Sequence, residues 1–273
     1  MHEPIAALYY VLSLALGRVL RAGRYASVQV VDHAGETRVR KRRLFYAPFL
    51  VWLGRPLVRI LNTGSRVLSQ REWEQREQLL YRELYGVTVR VEADGTLVLP
   101  YLPGITLARL LDRPALGAPD RARAIDLAVT ALSELHARGF THGDAMAENV
   151  MVDLEAGFGR WFDFETLHDA DRPLAWRRAD DVRALLATTL SRTPPDQLDG
   201  TLGQIVSGYG PDAEVFAALI RAFASVWQRA LPFHLGQAPL SISQFREIDA
   251  RLSEPRLSSG YSPPELTSRP VGR

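Results

Sequence analysis

The sequence contains no cysteine. Disulfides, thiolate metal sites and a cysteine nucleophile are therefore excluded, which is compatible with a reducing cytoplasm. A strong charge imbalance is missing too. A net charge of +2 over 273 residues is too small to predict a nucleic-acid partner. Long hydrophobic runs are absent. The most apolar stretch, Pro4 to Gly17, is shorter than the roughly 20 residues that cross a bilayer. Only His2 and Glu3 stand where a secretory signal has its basic leader, so this stretch reads as an amphipathic or buried helix. Internal repeats are absent as well. What remains is an ordinary globular composition, 47% hydrophobic and 23% charged, in a chain long enough for one large domain or two lobes.

Ser27 to Lys41 alternates as a hairpin does, with Val28 and Val30 before the turn cluster Asp32-His33-Ala34-Gly35 and Thr37 to Lys41 returning. Lys41 is the only lysine of the arginine-rich stretch around it. Strand alternation puts Val39, Lys41 and Arg43 on one face. Leu44 to Leu61 is an aromatic-rich, basic segment that predicts a helix. Ser69 and Glu72 form an S-x-x-E capping box, which opens a helix running through Leu79, Leu80 and Leu84 until Gly86 stops it. Val87 to Val91 and Thr96 to Leu99 predict two strands joined by Ala93-Asp94-Gly95. Tyr101-Leu102-Pro103-Gly104 breaks the pattern as a linker. Beyond it the chain is mostly helical. Asp120 is placed to cap a helix with Ile125, Ala128, Leu132 and Leu135 on its apolar face. Asn149 to Asp153 and Arg160 to Phe164 read as paired strands. Further helices are expected over Ala179 to Leu190, where Asp180 is the candidate cap, and over Ala213 to Leu231 and Ile242 to Leu252. The Pro-, Ser- and Gly-rich stretch from Ser253 predicts a flexible tail.

The informative run is His142-Gly143-Asp144, then Asn149-Val150-Met151-Val152, then Asp163-Phe164-Glu165. An asparagine follows Asp144 by five residues, and an aspartate between two phenylalanines follows Asn149 by fourteen. Phosphoryl transfer needs a carboxylate at the acceptor hydroxyl, oxygen ligands for the metal on the phosphates, and a cation on the nucleotide. An all-oxygen set of Asp and Asn suits hard Mg²⁺.

These motifs resemble the catalytic loop and metal-binding motif of the protein-kinase-like superfamily, H-x-D-x-x-x-x-N followed by D-F-G. Gly143 stands where protein kinases have arginine, and Glu165 where they have glycine. Both departures are similar to the branch of aminoglycoside and choline phosphotransferases. RIO-type and lipopolysaccharide-core kinases are similar as well. The resemblance implies an α+β, two-lobed protein-kinase-like fold. A 1–19 apolar helix would precede a small β-rich N-lobe with a helix (20–100), a larger helical C-lobe (101–252) and a 253–273 tail. It implies ATP and Mg²⁺ as cofactors, Asp144 as the base, and Asn149 and Asp163 as metal ligands. It further implies Lys41 on the phosphates and Asp181 bracing the catalytic loop behind His142. The acid pairing with Lys41 is Glu77, which lies on a line with Trp73, Leu80 and Leu84 at helical spacing and so faces the protein, with Glu74 as the alternative. Gly23 is the one glycine of the phosphate loop that survives. Leu99 and Tyr101 lie in the hinge that would receive adenine.

The expected activity is transfer of the γ-phosphate to a hydroxyl of a small-molecule, sugar or lipid-linked acceptor. A RIO-type protein kinase and a nucleotide-binding pseudokinase are the alternatives. Residues 4–17 and 45–61, with Arg55 and Arg59 among apolar side chains, either pack on the small lobe or lie against an anionic membrane surface.

Overall fold

A computed structural model describes residues 26–33, 35–44, 64–224 and 242–252. Gly23, the 4–17 and 45–61 segments and the 253–273 tail lie outside the described residues. Among the described residues no helix is long and apolar enough to cross a membrane. The chain is α+β, with a small sheet-rich part followed by a helical part.

The hairpin forms as its alternation predicts. Strand β1 (Ala26–His33) pairs antiparallel with β2 (Glu36–Arg43), and the Gly35 amide donates to Asp32 Oδ1 at 3.0 Å in the turn. Strands β4 (Arg90–Val91) and β5 (Leu97–Pro100) complete a sheet of order β1-β2-β5-β4. The register sets Val39 opposite Leu99 and Lys41 opposite Leu97, so these four side chains share one face. Helix α1 (Gln70–Tyr85) packs on that side. Both arms of its capping box are made, and its C-cap Gly86 takes φ 67°, which glycine adopts without a Cβ penalty. Its buried face consists of Trp73, Glu77, Leu80 and Tyr81.

The short strand β6 (Ile105–Thr106) leads directly into α2 (Leu107–Leu111) and pairs with β7 (Val150–Asp153), which pairs in turn with β8 (Phe158–Trp161). The β7–β8 ribbon lies against α3 (Ala118–Ala137) so closely that a Cβ on Gly159 would stand 2.5 Å from the Leu127 carbonyl. Helices α4 (Leu174–Leu190), α5 (Leu198–Tyr209), α6 (Ala213–Ala224) and α7 (Ile242–Leu252) complete the helical part. The hydrophobic core runs without a break from Trp73 and Leu80 through Leu132 and Phe164 to Leu186 and Leu219.

Several expectations need correction. Asp120 does not cap α3. The helix starts earlier, at Ala118 with Gly117 as its cap, because Pro119 already supplies helical φ in the first turn, and Asp120 sits inside that turn near the positive end of the helix. Asp180 is not a cap either. α4 begins at Leu174, and Asp180 is an interior, buried residue paired with Arg183. The strand expected over Arg160 to Phe164 ends at Trp161, because Asp163 takes φ 69°, which no strand accommodates. An unexpected two-stranded ladder joins β3 (Ser65–Val67) to β9 (Thr166–His168), antiparallel.

Candidate active site

Lys41, Glu77, Asp144, Asn149, Asp163 and Asp181 come from separate parts of the chain and meet where sheet and helices join. Lys41, on β2, is buried. Its ammonium binds Asp163 Oδ1, 122 positions away in sequence, and lies 3.6 Å from Glu77 Oε1. Burial disfavours the charge on Lys41, but Asp163 and Glu77 outweigh it and the pKa is raised. Glu77, not Glu74, is the inward acid. Its Oε1 accepts the Trp73 indole N–H at 3.1 Å and the Phe164 amide at 3.2 Å, while Oε2 is buried with no hydrogen-bond partner. Burial pushes the Glu77 pKa up.

The loop carrying Asp144 is held from three sides. His142 Nε2 lies 3.0 Å from the Phe162 carbonyl, which can only accept, so Nε2 carries the proton and Nδ1 accepts the Asp144 amide at 3.3 Å. Burial lowers the His142 pKa to about 4, so the ring is neutral at neutral pH. Asp181, on α4, accepts the His142 amide at 2.7 Å, the Gly143 amide at 2.8 Å and His136 Nε2–H at 2.9 Å. Burial opposes the Asp181 charge, but His168 and the other imidazoles nearby outweigh it, and the pKa is lowered. Gly143 has φ 88°, and a Cβ there would stand 2.8 Å from the Thr166 carbonyl. Glycine is required at this point for both reasons. Thr188 Oγ1 accepts the Ala147 amide at 2.9 Å from the opposite side.

Asn149 turns its amide onto Asp144, donating to the backbone carbonyl at 2.9 Å and to Oδ2 at 3.1 Å. Burial first, then the charges of Asp163 and Glu165, push the Asp144 pKa to about 8, although Asp144 keeps part of its surface open to solvent. Glu165, partly exposed, rises to about 7, again through burial and Asp163. Asp144, Asp163, Glu165 and Glu77 thus crowd one place, with Lys41 among them. Among the described residues no three His, Asp or Glu side chains form a metal cluster. Leu99 is buried on the Lys41 face of the sheet, whereas Tyr101 is 45% exposed in the stretch between β5 and β6. No hydrogen bond links either residue to the carboxylates.

Some participants were missed in the sequence. Arg76 donates to the Thr141 carbonyl at 2.5 Å, and His168 bonds Thr141 Oγ1 at 3.0 Å and Asp180 Oδ2 at 3.3 Å. Neither lies in a local motif. Trp73 sits four residues before Glu77, a spacing that puts both on one helix face. The strongest missed signal is compositional: Lys41 is the only lysine in the whole chain, among 33 lysines and arginines. Compared with known proteins, the chain matches no family model and no curated protein.

Proposed function

We propose that the chain is an ATP-dependent phosphotransferase of two-lobed, protein-kinase-like architecture, acting on a hydroxyl acceptor. One observation carries the reading: the sole lysine is buried against Asp163 and Glu77, beside a loop that presents Asp144 and Asn149. A chain that otherwise uses only arginine keeps a compact ammonium where a phosphate would need a point charge.

The donor set fits ATP with Mg²⁺. Carboxylates crowded enough to raise each other's pKa favour a hard divalent cation, and Glu77 Oε2 is a buried acceptor left over for a cation. Asn149 and Asp163 would hold the metal; two oxygen side chains suffice because Mg²⁺ keeps water and phosphate oxygens as its other ligands. Bound there, it would neutralise charge developing on the transferred phosphoryl group. Lys41 would bind phosphate oxygens. Leu99 and Tyr101 would border the base. Asp144, with a pKa near 8 and a hydrogen bond from Asn149, is suited to orient an acceptor hydroxyl and take its proton.

A small-molecule, sugar or lipid-linked acceptor is favoured over a protein. Only a short stretch separates Glu165 from α4 at Leu174, and part of it is tied into the β3–β9 ladder, so little chain is left to dock a peptide. The test is Mg²⁺-dependent nucleotide binding and ATP turnover by the wild-type chain and by Asp163→Ala. Binding that vanishes in the variant is expected. Wild-type protein that ignores MgATP, or a variant that binds it equally well, rules the reading out.

A further inference from the structure

We propose that Trp73 is a positioning residue, whose indole N–H orients Glu77 and thereby holds the Asp163 loop against Lys41. This rests on the phosphotransferase reading for what the positioning serves, but its physical basis is independent of it.

Trp73 is fully buried on α1, one turn before Glu77. The capping box at Ser69 fixes the phase of the helix, and the Trp73 amide makes an early helical bond to the Ser69 carbonyl at 2.9 Å. Both side chains therefore enter the site together. The edge of the indole donates to Glu77 Oε1 at 3.1 Å. The ring also lies 5.2 Å from the Lys41 ammonium and 4.7 Å from the Arg43 guanidinium, distances at which a ring face attracts a cation. One side chain thus touches the site acid and two cations of β2.

The consequence concerns Glu77 Oε1. A buried carboxylate with only the Phe164 amide to bind could turn, presenting either oxygen to Lys41 or to the loop. The second donor, on the same oxygen, removes that freedom. Phe164 directly follows Asp163, whose φ of 69° is an unfavourable backbone state that something nearby must enforce. The path runs from Trp73 to Glu77 to the Phe164 amide, and Asp163 is held by it. Phenylalanine at position 73 would keep an aromatic face for the cations while losing the donor and the volume of the second ring, so the protection of α3 serves as the control for packing loss.

Amide hydrogen exchange on the full chain tests this without any ligand. In Trp73→Phe, the Phe164 amide should exchange roughly tenfold faster, as expected when a hydrogen bond to a charged group is lost, while α3 keeps its protection. Glu77→Met, which removes the acceptor itself, should accelerate Phe164 exchange at least as much, and the double variant should be no faster than Glu77→Met alone. Unchanged exchange at Phe164, acceleration spread equally over α3, or effects that multiply in the double variant would each overturn the proposal. If Trp73→Phe does not fold, Glu77→Met decides by itself. Its Trp73 indole proton and Phe164 amide must lose protection together, and loss of one alone rejects the pathway. Turnover of MgATP, measured alongside, answers the separate question of function. Exchange as expected in a protein that never turns over ATP would retain the positioning role and sink the phosphotransferase reading.

Discussion

Lysine and arginine carry the same charge but not the same shape, and position 41 shows why the difference matters. The ammonium is a compact point with three rotatable donors, placed between Asp163 and Glu77 in a buried site. A guanidinium is planar and larger, and it spreads over a fixed fork of donors the charge that the ammonium concentrates at one point. Lys41→Arg should therefore fold but lose roughly 100-fold in ATP turnover, the scale of removing one preorganised electrostatic partner. Turnover near the wild-type rate in a folded variant would remove Lys41 from the phosphate site. Asp144 makes a complementary case. Asp144→Asn keeps the size of the side chain and abolishes the base, so nucleotide affinity should hold within a few fold while turnover drops by about 10²–10⁴. A kinetic comparison in which affinity falls and turnover does not would assign Asp144 to binding instead.

At the scale of elements, α1 joins local sequence signals to the site. Its cap is a Ser69 side chain reciprocated by Glu72, whose pKa is lowered to about 2 by the hydrogen bonds from Ser69. Ser69→Ala should cost about 1 kcal/mol of stability, and denaturant unfolding would show it. No shift in the unfolding midpoint would mean that tertiary packing alone holds the first turn. The same helix shows what could be read in advance. Its start, its stop at Gly86 and the inward side bearing Glu77 were all legible, because caps and helical spacing are local. So was the hairpin that carries Lys41, and so was the order of Asp144, Asn149 and Asp163. The β3–β9 ladder was not legible, because Ser65 pairs with His168 across a long sequence gap and strands of three residues have no periodicity to detect. The left-handed backbone at Asp163 was equally hidden, since only its surroundings make an aspartate adopt it. Asp180 was misread as a cap because α4 begins earlier, at Leu174, and the contact Asp180 makes with His168 becomes visible only when α4 is folded against the loop.

For the whole molecule, the buried histidines around the Asp144 loop link folding to pH, and they act in opposite directions. His142 is neutral in the folded chain, with a pKa lowered to about 4 by burial against an ordinary value near 6.5. Between these values the unfolded chain binds a proton that the folded chain refuses, so the His142 contribution to stability rises with pH across that window and falls on acidification. The difference amounts to about 3 kcal/mol when fully developed. His168 behaves the other way. Burial opposes its charge, but Asp181 and Asp180 outweigh burial and raise its pKa. Its contribution is complete below the ordinary value and is lost as pH rises through the folded pKa. Asp180 and Asp181 are lowered by their cationic partners, and their contribution disappears only under stronger acid, below the ordinary carboxylate range. Asp144 and Glu165, raised to about 8 and about 7, keep protons in the fold that the unfolded chain releases, so their contribution falls as pH rises and opposes that of His142 in the same window. Urea unfolding of the wild type and of His142→Asn at pH 4.5 and 6.5 isolates the histidine's share, and the stability lost on substitution should be larger at pH 6.5 than at pH 4.5. A loss of the same size at both pH values would show that His142 takes up its proton inside the fold. The hydrogen bond from the Asp144 amide to Nδ1 could not survive that, so the same measurement reports whether the loop holding the base keeps its shape.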